Sequence, residues 1–283
     1  MLSMHHVLIA ASSADPITVC SRRYTYIRDG SLRMRRLCRE LATLRPKRPG
    51  MLLPGAPRLP MARAAVRPLM SGGAMPRRFI VDTDAGVDDA VALCMGMRLA
   101  RQYGCLLPLV TTVFGNCAVE QVGANVVSCV RACGLDQSDR PRIVAGAPAN
   151  LRGDPPFYAT YFHGADGLGG AAEPMENSEL AAELSAGCAA DAIVEAAVAA
   201  AADGAALQCV AIGPLTNLAL ALRASPDVAS QLDVVLMGGC ASGRGNTRRT
   251  VEYNVFADPE AAAAVFAARW RSLTVLPWEL CLG

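Results

Sequence analysis

No run of eighteen uncharged apolar residues occurs anywhere in the 283-residue chain, so a soluble protein without a membrane-spanning helix is expected. None of the eleven cysteines pairs with another at CxxC spacing. Their number is odd, and Cys94, Cys209 and Cys240 sit in apolar runs like small core residues, so a reducing compartment fits better than a disulfide framework. Histidine is scarcer still. Of three in the chain, His5 and His6 lie near the N-terminus, which leaves His163 as the only imidazole available to a site further along.

What is present is apolar and unevenly charged. A hydrophobic content of 52% is ample for one large α/β core or two small ones. Residues 1–78 carry 15 of the 27 Lys and Arg against three acids, a balance of +12, while the remainder holds 12 basic and 22 acidic residues, a balance of −10. The later part is acidic and therefore a poor binder of nucleic acid. Residues 1–74 have no sustained period and become thick with Pro, Arg and Gly from Arg45 onward. This segment reads as a basic arm without fold, a targeting presequence or upstream sequence carried into the gene. A domain is expected over residues 75–283, placed in the cytoplasm, or in an organelle if the basic segment is an address.

The domain opens on Phe79-Ile80-Val81-Asp82-Thr83-Asp84-Ala85-Gly86-Val87-Asp88-Asp89-Ala90. A run of β-formers stops at four carboxylates within eight residues, and a helical pattern starts directly after. Carboxylates this close repel one another, so a cation is expected to neutralise them, and oxygen-only ligands suit calcium or magnesium. Complementing a helix dipole explains Asp88 and Asp89 but leaves Asp82 and Asp84 unexplained.

Further on, strands are expected over Cys105–Val113, Arg142–Ala147, Leu207–Ile212, Asp233–Met237 and Leu273–Leu276. Helices are expected from Val119, over Ala189–Ala202, after Asn217, and from Asp258-Pro259 to Trp270, the last with a capping carboxylate and a first-turn proline. A loop covers 148–174 and a polar loop runs on through Asn254. Alternation of this kind predicts an α/β fold, a mostly parallel sheet with helices on both faces, whose ligands bind beyond the carboxyl ends of the strands.

The turn Asp82-x-Asp84-x-Gly86-x-Asp88-Asp89 resembles the mark of the inosine-uridine preferring nucleoside hydrolase family. Phe114-Gly115-Asn116, His163-Gly164-x-x-Gly167-Leu168-Gly169, Gly213-Pro214-Leu215-Thr216-Asn217, Leu236-Met237-Gly238-Gly239, Gly245-Asn246, Glu252-Tyr253-Asn254 and Asp258-Pro259-Glu260 follow in family order. The resemblance implies calcium-dependent hydrolysis of the N-glycosidic bond of ribonucleosides. It makes Asp84 both a calcium ligand and the base that activates water, with Asp89 and the backbone carbonyl of Ile212 as further calcium ligands. Asp88, Asn116, Asn246, Glu252 and Asn254 would surround the ribose, and His163 would stand near the base. Asp82 is implied to support the turn, and a homodimer or homotetramer is implied as the assembly.

Taken singly, these residues have plainer readings: Asn116 and Asn217 as caps, the latter kept outside the site, His163 as a turn residue, and Glu252 with Asn254 on the solvated side of an extended segment. The family also has a downstream His-Asp pair. Here no histidine follows His163 and the chain reaches Gly283 before the final helices, so a domain incomplete at its C-terminus, with lowered hydrolase activity and uncovered apolar sheet surface, is expected. Glu279 is not assigned as a ligand. Two rival readings stand beside this one. A binder of nucleosides or ribose without turnover would show binding but no base release, and a haloacid-dehalogenase-type phosphatase would use Asp82 as its nucleophile.

Overall fold

The computed structural model describes residues 77–282; the basic segment over 1–74 lies outside the described residues. The elements in chain order are β1 Arg78–Thr83, α1 Val87–Tyr103, β2 Leu109–Thr112, α2 Val119–Ala132, β3 Arg142–Val144, α3 Thr160–His163, α4 Asn177–Glu183, α5 Ala189–Ala202, β4 Leu207–Ala211, α6 Thr216–Ala224, α7 Val228–Gln231, β5 Leu232–Met237, α8 Tyr253–Ala257, α9 Pro259–Ala267 and β6 Ser272–Leu276. All strand pairs are parallel and the sheet runs β3-β2-β1-β4-β5-β6. The expected α/β fold is therefore what the chain adopts.

Strand alternation divides the core. Phe79 and Val81 of β1 face a cluster with Leu93 and Met97 of α1 and Val122 and Val126 of α2, while Ile80 faces the other cluster, under α5, α6 and α9. Side chains on a strand point alternately to opposite faces, so a strand covered on both sides reads as one continuous apolar run. The helices over the second face are alanine-rich, and Ala197, Ala219 and Ala261 are fully buried there.

Connections from β1 through β2 to β3 run one way, and the chain then returns to the opposite side of β1 for β4, β5 and β6. The direction changes between β1 and β4. At such a point the loops leaving two adjacent strands diverge and open a crevice at their carboxyl ends. Here those loops are the acidic turn and Ile212-Gly213.

Several expected boundaries move for identifiable reasons. Strand β2 pairs only over Leu109–Thr112, with Leu106 making a single bridge to Arg78. Pro108 between them has no N–H to give a ladder. Strand β3 ends at Val144, and the Ala147 N–H is instead taken by the Asn217 side chain at 3.0 Å. Helix α9 stops at Ala267, because Ala268 turns extended (ψ 150°); the Trp270 indole N–H then donates back to the Val265 carbonyl at 2.7 Å. Asp258 caps α9 as expected, accepting from the Ala261 N–H at 3.0 Å, with Pro259 in the first turn. Strand β6 is only partly covered, with Val275 exposed, and Leu280 and Leu282 beyond it exposed as well.

Candidate active site

Strand β1 delivers Asp82 to the end of the sheet and Asp84 just beyond it, and α1 begins three residues later. Within this turn Thr83 and Asp89 close on each other: Thr83 Oγ1 donates to Asp89 Oδ1 at 3.0 Å and accepts from the Ala85 N–H at 3.0 Å, while the Gly86 N–H donates to Asp89 Oδ2 at 2.9 Å. Asp89 is thus both a first-turn helix carboxylate, favoured by the dipole, and an anchor for the turn before it.

The loop after β2 meets this turn through Asn116. Its backbone N–H donates to Asp84 Oδ2 at 3.0 Å and its side-chain amide to Asp89 Oδ2 at 3.0 Å, so one residue binds both acids. The approach is close enough to demand glycine. A Cβ on Gly115 would lie 2.1 Å from Asp84 Oδ2, and one on Gly86 would lie 2.4 Å from the Asn116 amide and 2.8 Å from His163 Nδ1.

His163 closes the far side. It ends the short helix α3, is buried, and its Nδ1 accepts from the Val87 N–H at 3.2 Å. Burial lowers its pKa, and Asp88, whose Oδ1 is 3.9 Å away, pulls partly the other way. A neutral ring that accepts at Nδ1 carries its proton on Nε2. Asp88 itself is solvent-facing at the mouth.

A second group gathers at the ends of β4 and β5. The Asn254 amide donates to the carbonyl oxygens of Ile212, at 3.1 Å, and Met237, at 3.0 Å. Glu252 does not lie on an extended, solvated segment; it is buried and caps α8, accepting from the N–H groups of Asn254, Val255 and Gly239 at 2.9, 3.2 and 2.9 Å. Asn246 is exposed and its Oδ1 accepts from the Tyr253 N–H at 2.8 Å. Tyr253 joins the two groups, since its hydroxyl lies 2.6 Å from the Gly115 carbonyl oxygen. Cys281 senses both: its thiol is pushed up to about 11 by burial first, then by Asp88 and Glu252.

Below the site, Asp82 is 0% exposed and accepts from Thr111 Oγ1 at 2.5 Å and from the Asn217 amide at 2.8 Å. Burial raises its pKa to about 6. Both donors meet its Oδ1, while Oδ2 is buried without a partner. Asn217 is not a simple cap, as its amide also donates to the Thr112 carbonyl at 2.8 Å.

Electrostatically the site is short of positive charge. Asp84 and Asp89 are both raised well above the usual carboxylate range, by burial first and then by neighbouring carboxylate charge. Asp84 Oδ1 is buried without a hydrogen-bond partner. An orphaned acceptor beside a second buried acid suits a hard cation, which would satisfy the oxygen and let both acids ionise. Among the described residues no three His, Cys, Asp or Glu side chains converge on one point. The fit is therefore that of two carboxylates supplying part of a shell, completed by carbonyl, water or substrate oxygens.

Sequence reasoning gave no part to Thr83, Tyr253 or Asn125. The signal for Asn125 is a lone amide inside the Val119, Val122, Val126, Val127, Val130 stripe, where a polar side chain must be buried with partners.

Known proteins resemble this chain in sequence and in fold. The sequence model of inosine-uridine preferring nucleoside hydrolases matches residues 79–282. Probable uridine nucleosidase 2 of Oryza sativa subsp. japonica is 33% identical over 195 residues, covering 68% of this chain and 53% of that protein. Non-specific ribonucleoside hydrolase RihC of Salmonella paratyphi B is 37% identical over 188 residues, covering 66% and 56%. A solved inosine-guanosine nucleoside hydrolase superposes with a TM-score of 0.63 at 32% identity, covering 72% of this chain and 61% of that one. The chain thus spans about half the length of the curated relatives it matches.

Proposed function

Because this chain belongs to the inosine-uridine preferring nucleoside hydrolase family, we propose that it cleaves the N-glycosidic bond of ribonucleosides to ribose and free base, with calcium at the acidic turn. The observation that carries the reading is the unpartnered, buried Oδ1 of Asp84 beside Asp89 at the β1/β4 crevice. Asp84, Asp89 and the Ile212 carbonyl oxygen would hold the ion. When bound, calcium supplies Lewis-acid activation and orientation of water.

The remaining work falls to the chain's own residues. Asp84 takes the proton from the attacking water, a role that requires its carboxylate to be ionised. Asp88, at the mouth, accepts hydrogen bonds from ribose hydroxyls, and Asn116, Asn246, Glu252 and Asn254 bound the sugar, fixing its position. Cleavage builds positive charge on the sugar ring, and an acidic pocket stabilises that charge where it develops. His163, with its proton on Nε2, gives a hydrogen bond to the departing base, which takes its proton from solvent.

A homo-oligomer belongs to this reading, supported by exposed Val275, Phe266, Leu280 and Leu282. Cytoplasmic placement is supported by the nine free cysteines among the described residues. One observation favours the alternative of binding without turnover: Asp89 and Glu252 already have their oxygens engaged by Thr83, Asn116 and backbone N–H groups. Release of free ribose from purine and pyrimidine ribonucleosides, with 2′-deoxynucleosides as the control, separates the two. Base release supports hydrolysis, and saturable ribose binding without release supports the alternative.

A further inference from the structure

We propose that Asn125 is a positioning residue that sets the spacing between the acidic turn and His163. The proposal rests on reading that turn and His163 as parts of one nucleoside site.

Asn125 lies on the buried side of α2 and is 0% exposed. Its Oδ1 accepts from Gln121 Nε2 at 2.9 Å, which orients the amide. Nδ2 then faces two carbonyl oxygens and donates to both, to Ala85 at 3.1 Å and to Asp166 at 2.9 Å. A single amide therefore clips together two segments far apart in sequence.

Each segment transmits its position to a site residue. Ala85 stands between Asp84 and Gly86 and is the only non-glycine with positive φ (38°) among the described residues. Such backbone persists only where its surroundings hold it. Asp166 organises the loop behind His163: its carboxylate accepts from the N–H groups of Leu168, Gly170 and Ala172 at 3.1, 2.9 and 2.9 Å, and the Gly169 N–H donates to the His163 carbonyl at 2.7 Å. The loop is thus a compact unit, and shifting its Asp166 carbonyl shifts His163. Asn125 touches neither substrate atoms nor the acids; it acts through Ala85 and Asp166.

The test uses the full chain. Asn125→Asp is nearly isosteric but turns the double donor into an acceptor facing two carbonyls, and Asn125→Ser keeps one donor as a milder variant. The ring carbon–proton NMR signals of His163, identified by their absence in His163→Ala, report its position without any need for turnover. Both Asn125 variants are expected to displace these signals while the melting transition stays cooperative. Gln121→Ala, which removes only the partner of Oδ1, is expected to displace them less. If wild type releases ribose, kcat should fall on the order of 10-fold or more and KM by less than about 3-fold in either direction. His163 signals unmoved in both variants would overturn the proposal, and so would loss of folding in both, since Asn125 would then be a stability residue only. Absence of ribose release by wild type would sink the hydrolase reading alone, with the ring signals still deciding the role of Asn125.

Discussion

Asn217 places its amide nitrogen 2.8 Å from Oδ1 of Asp82, across 135 residues of sequence. The same side chain bonds the Thr112 carbonyl and the Ala147 N–H. It therefore stitches β1, the end of β2 and the loop after β3 beneath the site.

Asn217→Ala should accordingly be costly. It leaves a buried carboxylate short of a donor and two backbone groups without their side-chain partner, and each unsatisfied buried group costs about 1–3 kcal/mol. Urea unfolding of the full chain is expected to show a loss of roughly 3 kcal/mol or more, with the denaturant slope unchanged.

Gly115→Ala should harm function more than fold. The added Cβ would stand 2.1 Å from Asp84 Oδ2, and accommodating such overpacking costs about 1–3 kcal/mol. Displacing Asp84 by even about 1 Å is expected to lower ribose release by on the order of 100-fold. Circular dichroism and a progress curve on the same sample check both halves.

Asp258→Ala removes one carboxylate with three partners: the Ala261 N–H at the start of α9, the Leu151 N–H and the Thr216 hydroxyl. Loss of the cap alone costs about 1 kcal/mol, and the other two donors add to it. Thermal melting should show a clear decrease, and Asp258→Asn should recover part of it.

The pair of Asp233 and Arg271 makes stability depend on acid. Both guanidinium contacts, at 2.9 and 2.6 Å, and the Ser272 hydroxyl hold the Asp233 carboxyl below the usual carboxylate range. A lowered folded-state pKa contributes stability that is complete above the unfolded value of about 3.9 and is lost as pH falls through the folded value. Melting temperatures of wild type and Arg271→Met are expected to differ at neutral pH and to converge below about pH 4.

Much of this architecture is legible in the sequence, and particular residues show where legibility stops. The order of strands and helices follows from apolar runs alternating with helical periods, and the acidic turn announces itself by four carboxylates that a stable fold must compensate. Pro108 was visible too, yet the apolar run on both sides of it hides that the ladder begins only at Leu109. Taken singly, Glu252 reads as a solvated acid on an extended segment, because only tertiary contacts turn the chain into α8 and make it a buried cap. Asn217 looks like a local cap because its three partners come from distant segments. Asn125 is a single letter in a valine stripe, and only the fold reveals that two carbonyls from other loops meet it there.

The most direct test of the account is ribose release by the full chain and by Asp84→Asn, each with calcium and with a chelator. Wild type is expected to release ribose only with calcium and not after chelation, and Asp84→Asn is expected to release none although it stays folded. Release that survives both the chelator and Asp84→Asn, or a folded wild type that binds calcium and releases nothing, would contradict it.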